Sequence, residues 1–162
     1  MLKKILLIVL IVLIGIQFIR PAKNEHSGSF PNAVTAKYPI PASVNSILKR
    51  ACYDCHSNNT VYPWYNHVQP VYWLLDNHIR NGKRHFNFDD FTTQPAWKQY
   101  HKLDEVAEQV KKNNMPLESY TWIHKDAILT DAEKQEIYAW VNTAKTAMEA
   151  QYPKDSLVRP KK

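Results

Sequence analysis

The pattern of apolar and polar positions changes character along the chain, and each change predicts an element. The first stretch has no period. After Lys3-Lys4, residues Ile5 to Ile16 are apolar apart from Gly15, and Gln17, Phe18, Ile19, Arg20 and Pro21 follow. From Val44 the spacing becomes helical: Val44, Ile47, Leu48 and Ala51 share one face, with Ser43 placed to cap the start. Val71, Leu74, Leu75, His78 and Ile79 repeat that spacing. They lie between Pro70, which suits a first helical position, and Gly82, which suits a C-terminal stop. A third helix is expected over about Asp104 to Lys112, with Val106, Ala107 and Val110 inward. The last opens on Thr130-Asp131-Ala132-Glu133, a capping box, and carries a stripe of Ile137, Tyr138 and Val141. No run alternates with the two-residue period of a strand, so the fold class expected is all-α.

Two lysines before an apolar run are the opening of an export signal. No small-residue cleavage site and no cysteine follows the run. Ile5 to Ile19 as helix would reach about 22 Å, short of a hydrocarbon core of about 30 Å, with Lys3, Lys4 and Arg20 able to snorkel across much of the gap. The organisation expected is therefore a signal anchor or transmembrane helix over residues 1–20, with secretion after cleavage as the alternative. A linker over 21–41 carries Pro21, Gly28, Pro31 and Pro39. One domain then spans 42–148, ahead of a basic tail over 149–162. In either case the body is exported to the periplasmic side of a cytoplasmic membrane.

The net charge of +6 would suggest nucleic acid as a partner. Its location argues otherwise. Residues 36–150 hold 13 Lys and Arg against 13 Asp and Glu, and the excess sits in the leader and the tail. A neutral body with basic ends is not a phosphate-binding face.

Candidate chemistry concentrates in Cys52-Tyr53-Asp54-Cys55-His56, which holds both cysteines of the chain. The pattern C-x-x-C-H is the attachment signature of a c-type haem. Two thiols three positions apart reach the two vinyl groups of one porphyrin, and the adjacent histidine comes under the iron as an axial ligand. A structural zinc site would need about four ligands, and a thioredoxin-like pair would sit near a βαβ pattern; neither context is present. A plain disulfide remains the simplest alternative in an oxidising compartment. The motif occurs once, so one haem c is expected.

The second axial ligand decides what such an iron does. Met115, in the polar Asn113-Asn114-Met115-Pro116-Leu117 segment, is the leading candidate, because a thioether there is poor core filler and the following proline restricts its backbone. His78, on the apolar face of its helix, and His124 are the alternatives. Trp64, Tyr65 and Trp73 could wall a haem pocket. Arg80, Lys83 and Arg84 could pair with its propionates.

These residues resemble the bacterial single-haem "haem-binding domain" family of exported proteins related to cytochrome c. The resemblance runs over about residues 43–142. It is carried by Cys52 to Asn58, Tyr62-Pro63-Trp64-Tyr65, Pro70 to Leu75, His78-Ile79-Arg80-Asn81-Gly82 and Phe86-Asn87-Phe88. It continues through Met115-Pro116-Leu117, Tyr120, His124, Leu129-Thr130 and Trp140. Asn114 stands where the family often has an acidic residue. The resemblance implies a cytochrome c-like helical domain with covalent haem on Cys52 and Cys55 and His56 axial. By analogy with cytochrome c, the family's Met-Pro segment implies Met115 as the distal ligand. A membrane-tethered electron carrier that serves an unknown redox partner is the expected function. A peroxidase-like enzyme or a gas sensor with an accessible iron is the alternative.

Overall fold

A computed structural model describes residues 1–160. Seven α-helices form: α1 (Leu2–Ile16), α2 (Ala42–Ala51), α3 (Tyr53–His56), α4 (Val71–His85), α5 (Ala96–Lys111), α6 (Glu118–Thr121) and α7 (Asp131–Gln151). Short 3-10 turns punctuate the loops, at Val34–Ala36, Trp64–His67, Phe91–Thr93, Lys125–Ala127 and Lys154–Leu157. There are no strands among the described residues, only an isolated bridge between Asn32 and Asp90. The all-α expectation holds.

Three helices supply most of the core, with Val34, Tyr38, Phe86, Phe88 and Phe91 closing it from the loops. α5 packs along α7, and α2 lies across α7. Val44, Ile47, Leu48 and Ala51 of α2 are all buried, as their spacing requires. They meet Ile137, Trp140, Val141, Ala144 and Met148 of α7 and Leu103 and Val110 of α5 in one apolar cluster. α7 starts as its sequence predicts. The Thr130 hydroxyl accepts from the Glu133 N–H, and the Glu133 carboxylate accepts from the Thr130 N–H. Arg50 of α2 reaches the same carboxylate at 2.5 Å, which ties the two helices at the cap.

Other helix ends differ from expectation. α2 begins after Pro41, and Ser43 lies inside the helix without capping it. Pro70 sits one position before α4 rather than at its first residue. α5 starts at Ala96, eight residues earlier than expected, because Pro95 opens a turn whose inward residues are the polar Gln99 and the apolar Leu103. α7 runs on to Gln151, past the expected domain edge at 148. Gly82 does not stop α4. The helix continues to His85, and Gly82 is buried inside it against the backbone of α3.

The N-terminal region departs furthest from expectation. α1 has 15 residues, none of them buried, and no helix among the described residues is long and apolar enough to cross a membrane. The helix gives out at Gln17, whose side chain turns to the body: its amide oxygen accepts from the Gln69 N–H at 2.9 Å. Arg20 donates to the His67 carbonyl at 2.9 Å, and the Ile19 carbonyl accepts from the Gln69 side chain at 2.8 Å. Residues 21–41 are likewise folded onto the domain rather than free. Asn24 bonds Ser57, Thr60 and Tyr62, and Val34 and Tyr38 are part of the core. Polar side chains with main-chain partners, together with two apolar anchors, outweigh the prolines that mark the segment as a spacer.

Candidate functional site

The motif sits at a tight junction. α2 ends at Ala51, Cys52 leaves the helical conformation, and α3 makes a single turn through Tyr53-Asp54-Cys55-His56. α4 then crosses directly against this turn. The crossing depends on Gly82: a Cβ there would lie 2.4 Å from the Cys55 carbonyl oxygen, well inside contact distance. The glycine is needed for close approach, a role that its position in the sequence could not distinguish from a helix stop.

His56 is held at both ends by the segment that follows α4. Its Nδ1 lies 2.8 Å from the Phe86 carbonyl oxygen, and its own carbonyl accepts from the Phe88 N–H at 2.8 Å. A carbonyl can only accept, so Nδ1 carries the proton and Nε2 keeps its lone pair. Burial pushes the His56 pKa below its ordinary value, partly offset by backbone bonds with Phe86 and Gly82, which favours the neutral ring. A neutral imidazole with an oriented Nδ1–H is the form that binds iron, and the bond to the carbonyl raises its basicity. Asn58 donates from its N–H to Asp89 at 2.7 Å, and Asn87 donates to the Asn58 side chain at 3.0 Å. The Asn-Phe segment therefore braces the end of the motif.

Cys52 and Cys55 are both free thiols and half-buried. Burial pushes each thiol up to about 12, and Cys55 adds to the effect at Cys52. No group of three or more His, Cys, Asp and Glu side chains is gathered to hold a metal ion among the described residues. The donor set on the page is two neighbouring thiols and one imidazole with a free Nε2. It fits an iron porphyrin, which brings its own four nitrogens and two vinyl groups and asks the protein for two thiol sulfurs and axial ligands.

The other candidates fall in different places. Met115 is half-buried in the loop between α5 and α6, with its N–H on the Gln109 carbonyl at 3.3 Å. Asn113, at φ +56°, makes the left-handed turn that ends α5, a conformation that asparagine tolerates. Tyr65 and His124 come together, the hydroxyl 2.8 Å from Nε2. His124 also stacks on Tyr120, with ring centroids 4.2 Å apart and planes at 10°. The His124 Nε2 is thus already engaged by a protein partner. His78 is half-buried on α4 in line with Val71 and Leu74, which are exposed. Trp64 is 76 % exposed and leans edge-on against Tyr65. Trp73 points away from the motif's neighbours: its indole N–H donates to the Ile19 carbonyl at 3.0 Å, where the N-terminal segment docks. Arg80 is paired with Asp76 at 2.8 Å, and Lys83 donates to Asn24 at 2.5 Å. With Arg84 they line an open cleft of about 630 Å³ between α4 and Pro21–Asn24.

Sequence reasoning missed Asp54, Phe86 and Tyr120. Asp54, between the two cysteines, accepts from the Tyr120 hydroxyl at 2.7 Å and from the Val61 N–H at 3.1 Å. Phe86 acts through its carbonyl, which no side-chain pattern announces. Only the spacing of Asp54 inside the motif could have drawn attention to it.

No curated protein and no solved structure matches this chain. The haem-binding domain family does, over residues 11–143, which takes in the motif, the bracing segment, the Met115 loop and most of α7. On that match, with the donor geometry above, the chain belongs to the haem-binding domain family.

Proposed function

We propose that this protein carries one covalently attached haem c on Cys52 and Cys55, with His56 and Met115 as axial ligands, in a cytochrome c-like domain. Its work is electron transfer at the outer face of the cytoplasmic membrane. The observation that carries the reading is the His56 ring, held neutral with Nδ1–H on the Phe86 carbonyl and Nε2 free, one residue after a paired thiol. The haem supplies the one-electron chemistry when bound. The chain's own residues do the rest. The Phe86 carbonyl fixes the rotation of the His56 ring, and the Phe88 N–H holds the His56 main chain. Gly82 lets α4 close against the cysteines. Met115 offers a thioether from a loop fastened to α5, and methionine ligation favours the reduced state. Two axial side chains leave no open iron position, which suits a carrier better than a catalyst.

The membrane part of the proposal rests on α1. Lys3 and Lys4 stand in its first turn, its surface is apolar from Ile5 to Ile16, and its end is bonded to the domain through Gln17, Ile19 and Arg20. A second reading, iron ligated by His78 or left open for peroxidase-like chemistry or gas sensing, draws on the placement of His78 beside exposed Val71 and Leu74.

An optical spectrum of the full chain, produced with haem-attachment machinery, tests both in each oxidation state and with added CO. A low-spin spectrum with the weak far-red sulfur-to-iron band, indifferent to CO, is expected. Met115→Ala should keep the haem attached and abolish that band. An unchanged band in Met115→Ala removes Met115 from the site, and ready CO binding by the parent protein moves the reading to catalysis or sensing.

A further inference from the structure

We propose that Tyr120 is the positioning residue of the distal ligand: its hydroxyl ties the loop that carries Met115 to the turn that carries His56. The inference rests on the ligation reading above and adds a residue that the reading did not contain.

The two ends of the connection are both rigid. Asp54 lies between the cysteines, two residues before His56. It is fixed on three sides: its Oδ1 accepts from the Val61 N–H at 3.1 Å, its carbonyl accepts from the Thr60 hydroxyl at 2.6 Å, and its Oδ2 takes the Tyr120 hydroxyl at 2.7 Å. Tyr120 is fixed as well. Its ring stacks on His124, and His124 is held by the Tyr65 hydroxyl at 2.8 Å. Tyr120 belongs to α6, which starts immediately after Leu117, and its N–H donates to the Leu117 carbonyl at 3.0 Å. On the other side of the methionine, the Asn114 and Met115 N–H groups both reach the Gln109 carbonyl of α5.

Met115 is thus suspended between two supports. One is the end of α5; the other is α6, anchored through Tyr120 to the motif. Among the described residues, the Tyr120–Asp54 contact is the hydrogen bond that joins residues 113–121 to residues 52–56. It is charge-assisted, about twice as strong as a neutral one. Burial and the Asp54 carboxylate both push the Tyr120 phenol far above its ordinary pKa, so it stays a donor at any working pH. Loss of this bond frees the α6 side of the loop and leaves the α5 side in place. The thioether then samples positions off the iron without any change in the ligand set.

The test compares Tyr120→Phe with Tyr100→Phe in the haem-loaded full chain. Tyr100 is a fair control because its hydroxyl also bonds a carboxylate, Glu149, on the exposed α5–α7 surface. Tyr120→Phe should weaken the far-red band and raise the affinity of the reduced protein for CO about tenfold or more, the factor for one lost hydrogen bond to a charged group. Tyr100→Phe should leave both unchanged. Asp54→Ala removes the same bond from the other side, together with the Val61 contact, so the double variant should lose no more of the band than Asp54→Ala alone. Asp54→Ala alone serves if Tyr120→Phe does not fold. An intact band and unchanged CO affinity in Tyr120→Phe, or fully additive losses in the double variant, overturn the positioning role. Met115→Ala, run alongside, separates the two ideas: if it too keeps the band, the ligation reading itself has failed.

Discussion

The two halves of the molecule are held together by different physics. The half made of α2, α5 and α7 carries most of the apolar core, which Phe86, Phe88 and Phe91 close from the segment after α4. Leu48, Leu103, Ile137 and Met148 are all fully buried, and the helices meet along continuous apolar faces. The half around α3 and α4 adds polar cross-links between distant segments, to side chains and to the main chain. His56 is bonded to Phe86, Asp54 to Tyr120, Tyr65 to His124, and Asn24 to Ser57 and Thr60. Tyr72, Leu75 and Ile79 of α4 are buried, but Val68, Val71, Leu74, Trp122 and Ile123 are exposed. The difference teaches that one half is a scaffold and the other an oriented site. Side-chain packing is non-directional and tolerates small shifts in angle. Hydrogen bonds fix orientation, which is what an axial ligand needs.

That comparison can be broken by substitutions that act on one half at a time. Leu103→Ala should cost the most stability, about 2–5 kcal/mol, because it opens a cavity where α5 meets α7. The far-red band of the folded haem protein should be unchanged. Denaturant unfolding together with the spectrum reads both, and a lost band at retained fold would mean that the halves are not independent. Gly82→Ala should cost less globally, about 1–3 kcal/mol for overpacking, yet damage the site more, since its Cβ meets the Cys55 backbone. The expected result is reduced haem loading, measured as bound haem per protein. Full loading with a normal spectrum would mean that α4 can retreat from the motif without consequence.

Thr130→Ala gives the smallest effect, about 1 kcal/mol for a lost helix cap, again on the scaffold alone. The same cap also shapes the pH response. The Thr130 N–H and Arg50 hold the Glu133 carboxyl below its ordinary pKa. That contribution is complete above the unfolded carboxylate pKa and fades as pH falls through the lower folded value. Melting temperature should therefore drop on acidification below about pH 4, and Arg50→Ala should flatten that part of the curve. A parallel curve in Arg50→Ala would show that Glu133 does not carry the response.

Much of this was legible in the chain. The face of α2, the capping box of α7 and the C-x-x-C-H motif are local patterns, so they needed no distant partner to be recognised. Gly82 and the segment 21–41 were misread for one shared reason. A glycine that stops a helix and a glycine that lets two backbones touch look alike in sequence. A proline-bearing stretch that swings free looks like one whose Asn24 and Tyr38 find partners more than 30 residues away.

What the sequence determined by itself is the helical class, the family and the thiol–imidazole chemistry of residues 52–56, because these rest on spacing along one chain. What only the tertiary structure decided is how that chemistry is aimed. The Phe86 carbonyl selects the His56 tautomer, Gly82 admits α4 to the motif, and Tyr120 reaches Asp54 across 66 residues. Each depends on two distant segments meeting at hydrogen-bond or contact distance, and no one-dimensional pattern records such a meeting.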